Sequence, residues 1–401
     1  MDEHQGLYLI KVEPTANNNK YYRMIPHGDT FEVQYGRVGY ENYQSDTYSI
    51  CNWDKKLKEK LRKGYVDNTS LVAEIVGKKK DSQYAEISDK SVAKIVERLQ
   101  SMARQAIRDN YTITSNKVTQ KMIDEAQLLI DQLGRASSVE QFNGNLVELF
   151  KTIPRKMTKV ADHLATQQDD FSVILQREQD LLDVMAGQVV VQQSVAREEI
   201  GSVESSETIL DALGLGFCGV SGNEILEIKK HLGNISDKFS DAWAVVNNKS
   251  QSAFDKFIKD NNIASKKLLW HGSRNENWWS IVNSGLVLRP NAVITGKMFG
   301  NGIYFAPSAG KSFGYTSYSG SYWAGGKSNV AFMSLFDVAY GKPYDVHSFE
   351  GRLGSFDYEK LQSASKGANC LHAHAGQMLR NDEIIVYKEE QITIKYLVEL
   401  K

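Results

Sequence analysis

The spacing of apolar residues changes twice along this chain, and that change limits its fold more than any other feature. Over the first part short runs alternate at period two: YLIKVE from Tyr8, YYRMI from Tyr21, and FEVQYGRVGY with turns at Gly36 and Gly39, the pattern of strands punctuated by glycine. From about Ser88 to Val195 the period becomes 3.6. Ile95, Leu99, Met102 and Ala106 fall on one stripe, Val118, Met122, Ala126, Leu129 and Leu133 on another, and Phe171 to Val191 carries a third, so amphipathic helices in series predict a bundle. From Lys267 the period returns to two in KLLWHG, GIYFA, NVAFMSLFDVAYG, EIIVYK and ITIKYLVEL, with helices expected only in NENWWSIVNSGL and after Pro307. Three pieces, of period two, 3.6 and two again, predict an α+β multidomain chain: a small antiparallel-sheet domain, an all-α bundle, and a mixed α+β domain with antiparallel sheets. A length of 401 residues agrees, since domains of roughly 100 to 200 residues give two to four of them.

Composition removes several functional classes. A net charge of −1 argues against a chain coated along its length by nucleic acid, though not against a local basic face. No apolar run reaches the roughly 18 residues that would span a bilayer, and MDEHQG at the start is polar rather than signal-like, so an unsecreted, intracellular protein is expected. Cys51, Cys218 and Cys370 are too far apart for a disulfide framework or a C-x-x-C zinc site. His372 and His374 could chelate from one face of a strand, but no third ligand clusters with them in sequence, so no metal is expected. Gly214-Leu215-Gly216-Phe217-Cys218-Gly219 matches G-x-G-x-x-G. It follows a short helix-like segment, SSETILDALGLG, instead of a strand, so the motif reads as a helix-ending turn and not as a dinucleotide site.

Between Asp54 and Lys63 six basic residues surround Leu57 and Leu61, which are four apart, predicting a helix with one apolar edge and a basic remainder. By itself this is an ordinary solvated face. Just before it, Gln34-Tyr35-Gly36-Arg37-Val38-Gly39 resembles the signature of the WGR domain, a DNA-binding module of poly(ADP-ribose) polymerases, with tyrosine replacing the tryptophan. The resemblance implies that Tyr35 stacks near a terminal sugar and that Arg37 holds backbone phosphate at a DNA end.

Further along, residues of distinct chemistry collect at predicted strand ends. His271 offers an imidazole and Gly272 an unobstructed backbone amide; Tyr304 and Tyr315 offer rings, Ser312 a hydroxyl, and Glu383 a carboxylate opening an apolar strand. Such a set suits release of nicotinamide from NAD⁺, where the leaving amide must be clamped, its ring held flat and positive charge stabilised on the sugar. Taken singly each has a plain structural reading: a core-edge histidine, strand or loop aromatics, a loop serine, a surface acid. Together LLWHGS, MFGNGIYFA, KSFGY and NDEIIVYKEEQITIKYLVEL are similar, in order and spacing, to the catalytic domain of poly(ADP-ribose) polymerases. LVELFKTIPRKM and QDLLDVMAGQVV resemble the family's helical regulatory domain.

The resemblance implies a His-Tyr-Glu triad on His271, Tyr304 and Glu383. It places NAD⁺ contacts at Gly272, Ser273, Asn277, Ser312 and Tyr315, and Met298 and Lys311 on the acceptor side. Glutamate at 383 is the family's mark of chain elongation. The expected organisation is a WGR-like domain over 1–82, a helical regulatory domain over 88–200, a polar linker from Arg197 to Thr208, and a transferase domain over 206–401. The expected function is DNA-break-stimulated ADP-ribosyl transfer, with NAD⁺ as substrate, broken DNA as partner, and the chain itself and other proteins as acceptors, in the nucleus if the source is eukaryotic and otherwise in the cytoplasm. The alternatives are transfer of single units or a DNA-binding scaffold with a vestigial site.

Overall fold

The computed structural model describes residues 4–40, 42–69, 84–111, 119–198, 207–288, 298–376 and 379–401; Val118 and most of the linker lie outside them. The chain forms two compact units, one of residues 1–81 with 104–189 and the other of 82–103 with 190–401. Among the described residues the architecture is α+β and multidomain, as the changing period predicts.

In the first unit β1 (Leu7–Glu13), β2 (Asn18–His27), β3 (Thr30–Arg37), β4 (Gln44–Ser49) and β5 (Val66–Asp67) make one antiparallel sheet in the order β4-β3-β2-β1-β5. Leu9, Tyr22, Met24, Phe31 and Val33 turn to a common core, which Trp53 of α1 (Trp53–Arg62) completes. Leu57 packs against that core as its spacing predicts. Leu61 does not: it is exposed, because the chain turns away at Gly64 directly after the helix.

Helices α2 (Lys90–Asn110), α3 (Gln120–Leu133), α4 (Val139–Thr152) and α5 (Phe171–Glu198) follow. Thr119 and Ser138 start α3 and α4 by accepting from the backbone N–H groups of Met122 and Gln141. Along α2 the buried stripe runs through Ile95, Leu99, Ala103 and Ile107, leaving Met102 and Ala106 half-buried. A 3.6 period allows steps of three or four, and packing here takes the four. Inside the first unit Arg155 and Glu178, each 2 % exposed, form a buried ion pair, with Arg177 bonding the second carboxylate oxygen.

The second unit opens with α6 (Ile209–Ala212), ended by Gly214 at φ 65° as expected. The remaining glycines of the motif are not in a turn. They lie in β6 (Leu215–Gly219), which pairs antiparallel with β7 (Phe239–Asn247), and α7 (Gly222–Leu232) starts only after the motif. After α8 (Asn248–Asp260) come β8 (Lys266–Gly272), α9 (Trp278–Ser284), β9 (Ile303–Phe305), α10 (Ala309–Phe313), β10 (Ala331–Ala339), β11 (Pro343–Val346), α11 (Tyr358–Ala364), β12 (Cys370–Ala373), β13 (Glu383–Val386) and β14 (Ile392–Leu400). Helix α11 was not foreseen, because YEKLQSA buries only Leu361 and so shows no apolar stripe.

Strands β6-β7-β14-β10-β8 form one sheet and β11-β12-β13-β9 another. Antiparallel pairing dominates both, as expected; the first is antiparallel throughout, and in the second only β11 and β12 run parallel. The two sheets meet where Trp270 and Ala306 exchange backbone hydrogen bonds of 2.9 and 3.0 Å. That exchange sets the end of β8 against β9. The first half of α2 packs in this unit, with Arg98 3.0 Å from Glu399 on β14 and Ser91 accepting from the Trp243 indole at 3.2 Å.

Candidate active site

His271 follows Trp270 at the end of β8, so the backbone exchange with Ala306 carries its ring to β9. Its Nδ1 lies 3.1 Å from the Tyr304 carbonyl, which can only accept; Nδ1 therefore holds the proton and Nε2 is a free acceptor. Phe305, Phe336 and Trp278 present their edges to the ring at 5.8, 6.2 and 6.5 Å. Burial in this apolar box pushes the imidazole below its ordinary pKa, so it stays neutral near pH 7.

The neighbouring position admits only glycine. A Cβ on Gly272 would sit 1.9 Å from the Ser312 carbonyl oxygen, so the absent side chain is what lets α10 lie against the strand end. Ser312 is buried, and its hydroxyl donates to the Trp270 carbonyl at 3.2 Å.

Two tyrosines differ in how they are held. The Tyr304 hydroxyl donates to the Gly300 carbonyl at 2.9 Å and accepts from the Phe299 N–H at 3.0 Å, and burial raises its pKa strongly. Tyr315 is 39 % exposed and stacks on Trp323, with ring centres 6.0 Å apart and planes 17° from parallel. Burial, then the nearby Glu383 charge, pushes its phenol up to about 12.

Glu383 opens β13, and Ile385 two residues on pairs with Tyr304, so glutamate and tyrosine share a face of the sheet. Glu383 is 7 % exposed. One carboxylate oxygen pairs with the Lys311 ammonium from α10, and the other, Oε2, is buried with no partner. A buried carboxylate oxygen without a donor is costly, and a substrate hydroxyl would satisfy it.

The structure therefore gathers His271, Gly272, Tyr304, Lys311, Ser312, Tyr315 and Glu383 through β8, β9, α10 and β13. Ser273 and Asn277 bond each other, Asn277 Nδ2 donating to Ser273 Oγ at 3.0 Å, while Asn277 Oδ1 is buried and unpartnered. Met298 packs half-buried against the Phe299, Leu371 and Ile385 cluster. Trp323 and Phe299 were missed by sequence reasoning; neither lies in a periodic run.

In the first unit Tyr35 stacks on Tyr22, with Lys60 5.8 Å above its ring, and its hydroxyl donates to Asp46 at 3.2 Å. The Arg37 guanidinium is spent on protein oxygens: the carbonyls of Asn17 (2.9 Å), Met157 (3.1 Å) and Thr158 (2.6 Å) and the Asn17 side chain (3.1 Å).

Comparison with known proteins shows the family. Residues 223–401 match the poly(ADP-ribose) polymerase catalytic domain and residues 5–71 the WGR domain. The poly [ADP-ribose] polymerase-like protein 100L of Invertebrate iridescent virus 6 is 31% identical over 182 residues, 44% of this chain and 94% of the viral one. The chain belongs to the poly(ADP-ribose) polymerase family. Also similar are uncharacterized protein 101L of the same virus, 33% identical over 46% of this chain and 78% of its own, and poly [ADP-ribose] polymerase 2 of Homo sapiens, 29% identical over 35% and 27%. The catalytic domain is that of an NAD⁺ ADP-ribosyltransferase, and NAD⁺ is its substrate. For a poly(ADP-ribose) polymerase the neutral His271, the paired rings and the half-used Glu383 all lie within the matched segment. No described helix is long and apolar enough to cross a membrane.

Proposed function

We infer that this enzyme attaches ADP-ribose to itself and neighbouring proteins, extends it into poly(ADP-ribose), and is stimulated by DNA strand breaks. The observation that carries the reading is the buried, unpartnered Oε2 of Glu383 on the Tyr304 face of the sheet.

The nicotinamide ring lies between Tyr304 and Tyr315, its carboxamide held by the Gly272 backbone and the Ser312 hydroxyl. His271 Nε2 accepts from a ribose hydroxyl, and Ser273 and Asn277 meet the adenosine ribose. The bond from C1′ to the pyridinium nitrogen breaks, its electron pair leaving with neutral nicotinamide, and the ribose gains oxocarbenium character next to the Glu383 carboxylate. An acceptor oxygen closes on C1′ from the side of Met298 and Lys311; during elongation that oxygen is a ribose hydroxyl, and its proton passes to Glu383. Glutamate, aspartate and serine are the first acceptors.

Support for DNA control comes from Arg37. Its hydrogen bonds to the Met157 and Thr158 carbonyls tie the WGR sheet to the segment between α4 and α5 inside the first unit. Phosphate makes stronger, charge-assisted bonds with guanidinium than neutral carbonyls do, so a DNA end that captures Arg37 releases that segment. The helical domain then ceases to restrain NAD⁺ access.

Labelled NAD⁺ incubated with the chain, with and without nicked DNA, and resolved on a gel tests all three parts. A DNA-dependent ladder is expected. A single discrete band would sink elongation, equal labelling without DNA would sink the regulation, and tight DNA binding with no label would leave only a scaffold.

A further inference from the structure

The sheet that carries Glu383 on one face carries a second cluster of reactive side chains on the other. β11 and β12 pair in parallel with Asp345 opposite His372, and His374 lies two residues on, so two strands deliver an aspartate and two imidazoles to one side. On β13, Glu383 is opposite Ala373 and not His372, which puts the catalytic carboxylate on the reverse face. The cluster thus takes no part in the chemistry described above.

Its geometry is that of a chelating triad. Asp345 Oδ1 is 2.7 Å from His374 Nε2 and 3.8 Å from His372 Nδ1, and one ligand atom from each residue lies within 4.8 Å of the others. A tetrahedral ion with bonds of about 2.0 to 2.1 Å needs ligand separations of about 3.3 Å, between those two values. His372 is 8 % exposed and already oriented as a ligand. Its Nε2 is 3.0 Å from Asp382 Oδ2, which only accepts, so Nε2 carries the proton and Nδ1, 3.8 Å from Asp345 Oδ1, is the acceptor. The Tyr340 hydroxyl, 2.8 Å away, donates to that same Nδ1 when no ion is bound, and an ion takes the lone pair by displacing this bond. Asp382 is itself fixed, its other oxygen accepting the Ala375 N–H at 2.7 Å. A carboxylate behind a histidine, setting its tautomer, is the usual outer support of a metal-bound imidazole.

We propose that Asp345, His372 and His374 form a binding site for a divalent transition-metal ion, with Asp382 as its outer carboxylate. Two imidazoles and one carboxylate suit Zn²⁺ or Co²⁺; Mg²⁺ and Ca²⁺ need an all-oxygen set. The fourth position, on the side of the Tyr340 hydroxyl, takes water. On binding, the ion replaces the proton that His374 Nε2 shares with Asp345.

The full chain, stripped with a chelator and exchanged into chelator-free buffer, is titrated with Zn²⁺ by calorimetry and with Co²⁺ by visible absorption. A single bound ion, the intense bands of four-coordinate cobalt and a Zn²⁺-dependent rise in Tm are expected, with no heat from Mg²⁺. His374→Ala and Asp345→Asn, whose side chains are 28% and 50% exposed, should fold normally, and each should weaken Zn²⁺ binding at least about tenfold and abolish the Tm shift. Zn²⁺ binding that is absent, or equally tight in the doubly substituted chain, overturns the site. So does a weak six-coordinate cobalt spectrum, a result read on the unaltered protein alone.

Discussion

Lys311 and Glu383 form a partly buried ion pair that uses one carboxylate oxygen and leaves the other without a donor. The lysine thus holds the carboxylate in place while leaving its second oxygen open. Removing the cation alone strands a buried charge: Lys311→Met should cost about 3 kcal/mol in urea denaturation, and adding Glu383→Gln should recover part of that loss. Glu383→Gln alone should slow elongation by about a hundredfold or more while NAD⁺ affinity stays within a few-fold. Unchanged polymer length in this variant would remove Glu383 from the elongation step.

Gly272→Ala places a methyl group 1.9 Å from a backbone carbonyl, and α10 must shift to admit it. Stability should fall by about 2 kcal/mol, and NAD⁺ binding should weaken because Ser312 moves with the helix. Gly219→Ala is the contrast. Nothing lies within 4 Å of the new methyl, so stability should change by less than about 0.5 kcal/mol, with NAD⁺ affinity untouched. A large loss of NAD⁺ affinity at Gly219 would revive the glycine motif as a dinucleotide site.

Arg37→Gln should weaken binding to nicked DNA and reduce the slope of log K against log salt by about one, the signature of one lost phosphate contact. Stimulation of transfer by DNA should fall with it. Full stimulation in this variant would mean that the arginine bonds to Met157 and Thr158 carry no signal.

His163 supplies a pH dependence in the first unit. Burial foremost, then the Arg155 and Arg177 charges, lower its pKa from 6.5 to about 4, against a smaller opposing effect of Asp162. The unfolded chain therefore takes up this proton first. Stability is complete above about pH 6.5 and is lost as pH falls toward about 4. The loss between about pH 7 and about pH 5, measured by urea denaturation, should be smaller in His163→Gln than in the unaltered chain. An identical loss would show that another group is responsible.

Much of the candidate site could be picked out residue by residue because its members fall at strand ends marked by glycine or by a polar residue opening an apolar run, as with Gly272 and Glu383. Pairing across long separations was not. Asp345 and His372 meet only because β11 and β12 run parallel, and no local pattern announces a parallel pair whose connection includes α11. For the same reason His372 and His374 showed no third ligand in sequence. The glycine motif misled in part, since a helix end and an edge strand both tolerate glycine, and Gly214 does the first while Gly216 does the second. Arg37 was legible as a residue but not as a contact, because its partners Met157 and Thr158 lie 120 and 121 positions away.

If the nicotinamide ring lies between Tyr304 and Tyr315 as proposed, their unequal anchoring gives the slot one rigid jaw and one compliant jaw. Tyr304 is fastened at its hydroxyl by both Phe299 and Gly300, so a flat ligand finds that surface set before it arrives and forfeits little order there. Tyr315, open to solvent and backed by Trp323, can yield. Inhibitors built on a planar carboxamide should therefore tolerate bulk only where it projects past Tyr315, and selectivity between this enzyme and its relatives should be sought along the Tyr315 and Trp323 flank.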